Sequence, residues 1–408
     1  MAKSSIYVGL EIGTSKICMV VGEVKGDGAI KILGVGEAPS RGVRKGEVVD
    51  FETAQGCVHD ALTRAEERSD VMIGSVYLAV TGGYIESFNN RGAIDIPEEE
   101  NEIGADALKE VKDSASDVSL EQDHAFIHRI IQHYYVDGQD KVVNPVGMFG
   151  KRLEADYHII HGIRNRVHNT IRCVRELPLE VDDVVFSPIA AAQIILSPEQ
   201  KSAGALMIDV GGGTTDYVLY EDGVVVDSGC FAVGGDHITN DISIVLKIPL
   251  SRAEKLKVKE GSAVAGTGAE KLHLEGDKKN VAREIDRDKL NAIIHARTRE
   301  IFELIGKATN MEERTQRMGG GVFLTGGASL LDGIESVAEE VLRVPVRCTR
   351  SKSTSGLTAT FENPKYSTAI GLLRYAQIVD RERPRKGVVT KVGEKLKDLL
   401  GVGSRLFS

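Results

Sequence analysis

Residues Asp209-Val210-Gly211-Gly212-Gly213-Thr214-Thr215-Asp216 set a carboxylate at each rim of a turn that carries three glycines and two hydroxyls. Without a Cβ, a glycine lets backbone N–H groups approach a ligand closely and take up positive φ. The hydroxyls and carboxylates complete the equipment for a phosphate chain with a hydrated Mg²⁺. The pattern predicts Gly211, Gly212, Gly213, Thr214 and Thr215 on phosphate oxygens. Asp209 is expected to meet Mg²⁺ through water, because Mg²⁺ gives up its own shell reluctantly. Taken alone, the same turn also fits a plain hairpin tip.

The turn is held by an apolar run at Leu206 to Val210 and an alternating one at Tyr217 to Tyr220, which read as a β-hairpin. A second copy stands at Ile6 to Val24, with Glu11 in the place of Asp209 and Gly13, Thr14, Ser15 and Lys16 forming the turn. Close to half of the 408-residue chain separates the two, and each is followed by a further polar turn and strand. Repetition at that spacing predicts two related lobes. A third glycine turn comes late: Val322 to Leu324 read as a buried strand, and Thr325-Gly326-Gly327-Ala328 as a tight turn. Leu331 to Leu342 then form a helix with Leu331, Ile334, Val337, Ala338 and Val341 on one face.

A chain of 408 residues exceeds one core and predicts two to four compact units. With 42% hydrophobic and 27% charged residues it is globular, and a net charge of −9 argues against general nucleic-acid binding. Cys18, Cys57, Cys173, Cys230 and Cys348 lie far apart with no C-x-x-C pair, and read as reduced core residues of a cytosolic protein. The first residues run straight into the first hairpin, so no signal peptide is expected, and no apolar run reaches the length of a membrane span.

The texture shifts between residues 84 and 162, which read as a small α+β module inserted in a first lobe of 1–83 and 163–203. His124, His128, His133, His158 and His161 crowd there without an acid or cysteine at ligand spacing, and are read as strand-surface histidines. The second lobe is expected at 204–240 and 311–377, around a helical, charged portion at 241–310. Residues 378–390 read as a basic, proline-containing linker. In 391–408, Val392, Leu396, Leu399, Leu400, Leu406 and Phe407 fall on one arc of a helical wheel and Glu394, Lys397, Asp398 and Arg405 on the other. Lys391 and Lys395 flank the apolar arc, which predicts a helix lying on an anionic membrane surface.

Two phosphate-type hairpins with a late strand–Gly-Gly–helix resemble the ATPase superfamily of actin, sugar kinases and heat-shock chaperones. The stretches "YVGLEIGTSK", "NPVGMFGKRLEADYHII", "IDVGGGTTDYVLYEDG", "VFLTGGASLLDGIE" and "YSTAIGLLRYA" resemble the FtsA family of bacterial cell-division proteins, in order and over essentially the whole chain. That resemblance implies an α/β fold of two ribonuclease-H-like lobes, with a small α+β insert in the first lobe (subdomain IC) and a C-terminal amphipathic helix. It implies ATP and Mg²⁺ between the lobes, Glu254 and Lys257 holding ribose and base, and Gly235, Gly326, Gly327 and Ala328 about the nucleotide. It implies filaments of self-assembled copies on the cytoplasmic side of the membrane at the septum, tethering the FtsZ ring and helping recruit later division proteins. The C-terminal peptide of FtsZ would dock on 241–310 (subdomain IIB), where Arg297 and Arg299 offer basic groups.

Relatives in the superfamily carry a glutamate before the proline of "FSPIAAAQ", where it helps orient attacking water; Ser187 stands in that place here, so slow hydrolysis is expected. Three alternatives stand beside this reading. A small-molecule kinase needs a substrate-activating aspartate, and none stands out. A chaperone ATPase needs a separate substrate domain, and only about thirty residues follow the second lobe. A pilus-assembly actin homologue is the nearest alternative and should lack the terminal amphipathic helix.

Overall fold

Each glycine turn closes an antiparallel pair, Ser5–Ile12 with Lys16–Val24 and Ala205–Val210 with Thr215–Glu221, in registers that set Ile12 opposite Ile17 and Val210 opposite Thr215. The computed structural model in which these pairs are seen describes residues 5–382, apart from 27, 98–100, 140, 267–269, 275–281, 350–353 and 357–362. The amphipathic segment expected at 391–408 and most of the linker before it lie outside the described residues.

Around each hairpin the same sheet is built. In the first lobe the spatial order is Glu180–Phe186, Ser75–Val80, Ser5–Ile12, Lys16–Val24, Ile30–Pro39, with Thr354–Gly356 added at the edge. In the second it is Val346–Cys348, Gly321–Thr325, Ala205–Val210, Thr215–Glu221, Val224–Phe231. In both, the first hairpin strand runs parallel to the strand on its other side, which requires a crossover connection, and helices supply it. The central strands are buried on both faces, as in Met19 to Val21 and Leu206 to Ile208, so they read as apolar runs without alternation.

On the first-lobe sheet, the helix Phe51–Ser69 starts where Asp50 accepts the Thr53 N–H at 3.2 Å, and it buries Ala54, Val58, Ala61, Leu62 and Ala65. Gly36 lets that helix sit close: a Cβ there would stand 1.8 Å from the Ala61 carbonyl oxygen. The opposite face is covered by Ser367–Glu382, whose Ala369, Ile370 and Leu373 pack on Cys18, Val20 and Val24. The sequence reading ended the second lobe at 377 and began a linker at 378; this helix instead runs to Glu382 and belongs by contact to the first lobe. Its Gly371 is in such close contact with the Ser187–Ile195 helix that a Cβ would lie 2.2 Å from the Ala190 carbonyl.

Between Val80 and Arg164, strands Ile85–Asp95, Arg152–Ile163 and His124–Val136 form a separate antiparallel sheet in that spatial order. The helix Ala105–Ser116 packs Val111 and Ala115 on Leu153, Ala155 and Ile159, giving this module its own core. Its histidines are not all on the surface, which corrects the sequence reading. Bulges in His124–Val136 turn His128 inward, where Nε2 accepts the Phe186 N–H at 3.0 Å, and His158 is buried against the second lobe. Acids do stand near one histidine: His124 Nδ1 lies 3.1 Å from Asp123 and 3.6 Å from Glu121, two exposed carboxylates.

The five cysteines are free thiols, two of them, Cys18 and Cys173, fully buried. Among the described residues no helix is long and apolar enough to cross a membrane.

Candidate functional site

The two glycine turns meet. Gly13 N–H closes the first on the Lys16 carbonyl at 3.0 Å and Gly211 N–H closes the second on Thr214 at 2.9 Å. A Cβ on Gly213 would lie 2.4 Å from Thr14 Oγ1, and one on Gly212 would lie 3.2 Å from Ser15 Cβ. The second turn is pinned from behind by the start of the helix Gly235–Leu246, where the Gly235 and Asp236 N–H groups donate to the Gly211 and Gly212 carbonyls at 2.9 and 2.8 Å. Between the lobes opens a cavity of about 660 Å³ lined by Gly13, Thr14, Ser15, Lys16, Asp209, Gly211, Gly212, Gly213, Thr214, Gly326 and Gly327.

Thr215 does not line it. Thr214 and Asp216 share the cleft-facing side of their strand, and the two-residue period sends Thr215 to the other, where its Oγ1 donates to the Val233 carbonyl at 2.8 Å. Gly235, Glu254, Lys257 and Ala328 also stand back from the cavity wall, gathered beside it: a Cβ on Gly235 would be 3.3 Å from Ala328 Cβ and 3.4 Å from Lys257 Nζ. Lys257 is buried, and its ammonium donates to the Gly235 carbonyl at 3.0 Å and Thr239 Oγ1 at 2.9 Å while pairing with Glu254 at 2.8 Å. This is a structured pair one helical turn apart rather than a solvated one.

On the two hairpins themselves Glu11, Asp209 and Asp216 stand against Lys16, while Arg64, Arg68 and Lys365 join Glu37 elsewhere in the cavity lining. Lys16 Nζ sits 2.7 Å from Glu11 Oε2; burial opposes its charge, but the neighbouring carboxylate outweighs that and keeps the ammonium protonated. Asp209 Oδ2 accepts from Thr368 Oγ1 at 2.9 Å, and Asp216 accepts from Thr81 Oγ1 at 2.5 Å. Burial, reinforced by Asp216 and Glu11, pushes the Asp209 carboxyl up to about 7, and burial raises Asp216 to about 6. Glu11, Asp209 and Asp216 around Lys16 suit a hydrated divalent cation, which would hold Asp209 and Asp216 in the ionised form. Gly326, at φ +88°, must be glycine: a Cβ would stand 2.2 Å from Asp209 Oδ1.

Other wall residues escape a local reading of the sequence. Glu37 receives Lys365 Nζ at 2.9 Å and Tyr366 OH at 2.6 Å, tying the first-lobe strand Ile30–Pro39 to the turn before the helix Ser367–Glu382. Pro39, Arg64, Arg68, Thr81 and Thr368 also line the wall. The signal was present in "KYSTAIG", four hydrogen-bonding residues, Lys365 to Thr368, that lead into the apolar run of that helix. Ser187 is buried at the cavity edge and donates to the Val80 carbonyl at 3.0 Å.

Arg297 and Arg299 lie on the helix Arg287–Ala308 and do not line this cavity. Neither is an unpaired cation, contrary to the expectation of available basic groups. Arg297 Nε and Nη2 reach Asp241 at 2.7 and 3.2 Å and Nη1 reaches Glu300, while Arg299 pairs with Glu303 and Glu340.

Two similar lobes with paired glycine turns across a polar cleft define an actin-like ATPase fold. Solved structures of that kind superpose on the chain: one from the PilM–PilN type IV pilus biogenesis complex (TM-score 0.64, 15% identity, 90% of this chain and 97% of that one) and MreB5 of Spiroplasma citri bound to ADP (TM-score 0.53, 16% identity, 92% and 97%). At those identities the likeness is one of fold. Sequence goes further. Residues 206–371 match the family model of cell division protein FtsA, residues 82–161 match that of the SHS2 domain inserted in FtsA, and cell division protein FtsA of Pseudomonas aeruginosa is 35% identical over 91% of this chain and 89% of its own. The chain belongs to the FtsA family of cell division proteins.

Proposed function

We propose that the chain binds ATP with Mg²⁺ in this cleft, assembles with copies of itself on the cytoplasmic side of the membrane at the septum, and tethers the FtsZ ring there. The observation that carries the nucleotide reading is the abutment of two glycine turns, from separate sheets, over a pocket in which burial raises the Asp209 and Asp216 carboxyl groups. Gly13 and Gly211 spend their N–H groups on closing the turns, so the backbone N–H groups of Thr14, Ser15, Gly212, Gly213 and Thr214 are the phosphate donors, and Lys16 exchanges Glu11 for a phosphate oxygen. Asp209 holds Mg²⁺ through water, and Gly235, Glu254, Lys257, Gly326, Gly327 and Ala328 take the nucleoside side. Calorimetric titration tests this: Gly212→Asp, which puts a carboxylate against Ser15 and Asp236, should abolish ATP binding, and unchanged affinity would sink the assignment.

With Ser187 where a water-orienting carboxylate would serve, ATP acts as an assembly switch more than as fuel. The segment 391–408 is the membrane anchor. Burying Val392, Leu396, Leu399, Leu400, Leu406 and Phe407 yields on the order of 10 kcal/mol before costs. Backbone ordering removes about 1–2 kcal/mol per residue, so one tail holds weakly and a filament of many tails holds well. The FtsZ C-terminal peptide docks on 241–310, where its acidic groups would compete with Asp241 for Arg297. A charge-reversed Arg297→Glu that still bound the peptide normally would remove that residue from the site.

A further inference from the structure

The strand Val224–Phe231 is the outermost of the second-lobe sheet, and side chains of the inserted module, instead of a further strand, take up its outer edge. Ser87 Oγ donates to the Ser228 carbonyl at 2.7 Å, Asn89 Nδ2 to Val226 at 2.9 Å and Gln132 Nε2 to Val225 at 2.6 Å. His158 closes the row, with Nε2 2.8 Å from Ser228 Oγ and Nδ1 2.7 Å from Asn89 Oδ1. Since Asn89 Nδ2 is committed to Val226, its Oδ1 accepts from His158 Nδ1–H, leaving Nε2 to accept from the Ser228 hydroxyl. The module is thus fastened to a lobe from which it does not branch.

The inner edge of the same strand leads to the cleft. Ser228 stands opposite Val218 and Cys230 opposite Asp216 in the ladder. Cys230 Sγ is 3.5 Å from Thr81 Oγ1, the hydroxyl that donates to Asp216. Thr81 lies between the first-lobe strand Ser75–Val80 and the first strand of the module, at the module's root.

We infer that the inserted module is a strut between the lobes, so that nucleotide occupancy of the cleft changes the module's orientation through the Ser228 edge. The inference rests on the nucleotide reading above. A ligand that draws on Thr214 and Asp216 moves the strand pair they belong to, and Ser228 moves with it. The module's sheet has a core of its own, so it follows as a body or its row of bonds breaks. Coupling of this kind requires the ligand to favour one arrangement over the other, and the lobe-bridging Thr81–Asp216 contact supplies that difference.

Hydrogen exchange on the full chain, with and without Mg·ATP, tests it. In the wild type, ATP should protect peptides spanning 205–216 and also alter exchange in Ile85–Asp95 and Arg152–Ile163. The double variant Asn89→Ala/Gln132→Ala should keep the first response and lose the second. Ser228→Ala, which removes one hydroxyl and leaves both backbones in place, should weaken the second response in the same direction. A module response of wild-type size in both variants, or none in the wild type beside clear cleft protection, overturns the inference alone. Absence of cleft protection in the wild type overturns the nucleotide reading and the inference with it.

Discussion

Thr14 of the first lobe and Gly213 of the second are packed so closely that a methyl group at position 213 would stand 2.4 Å from the threonine Oγ1. Real Cβ atoms do not come that near, so any side chain at 213 must push the turns apart. The proposed phosphate donors lie on both turns, and separating them breaks the shared cradle. Gly213→Ala is expected to weaken ATP binding at least about tenfold, roughly 1.4 kcal/mol. Titration calorimetry reads it directly, with circular dichroism to confirm the fold.

The raised carboxyl groups make nucleotide binding depend on pH. Asp209, at about 7 against an ordinary 3.8, is largely protonated below neutrality when no cation is present. A folded-state pKa above the unfolded one favours folding at low pH, and that contribution fades as pH rises through about 7. Mg²⁺ requires the ionised form, so Mg·ATP affinity should fall from pH 8 to pH 6, with protons released on binding. Calorimetry in buffers of different ionisation enthalpy measures the release. Asp209→Asn should reduce it, and a release unaffected by that substitution would assign the protons to other groups.

Ser187 bears on turnover. A neutral hydroxyl that donates to Val80 cannot take a proton from water, and a positioned base typically supplies roughly 10²–10⁴-fold in rate. The purified chain without lipid should release phosphate slowly in a steady-state assay. Brisk turnover there would contradict the reading of ATP as a switch.

For the membrane anchor, Leu399→Glu with Phe407→Glu places two charges on the apolar arc of residues 391–408. The double variant should remain in the supernatant when anionic vesicles are sedimented, with ATP affinity unchanged. Co-sedimentation at the wild-type level would exclude the segment as the anchor.

The hairpins were legible because their information is local. Glycine turns between apolar strands announce themselves within twenty residues, and strand pairing then fixes Asp209 opposite Asp216. What closes the cleft was not legible, because it joins distant parts of the chain. Thr368 meets Asp209, Thr81 meets Asp216, and Lys365 meets Glu37, each across more than a hundred residues. Thr215 was misplaced for a subtler reason: residue type suggested a ligand, while the two-residue period of its strand decided which way it faced. His128 was misjudged in the same way, since a bulge shifts the period and no turn residue announces it, and His158 because the second lobe, distant in sequence, covers it.

The position of the helix Ser367–Glu382 has a consequence for biosynthesis. It covers one face of the sheet built from the chain's first forty residues, and it brings Thr368 to Asp209. During translation those first strands leave the ribosome long before their cover does. The second lobe, with a core of its own from Leu206 to Val346, can be completed while the first still exposes Cys18, Val20 and Val24. The amino-terminal lobe is therefore the last to finish folding, and a nascent chain stalled before residue 367 presents an open apolar sheet to chaperones and proteases.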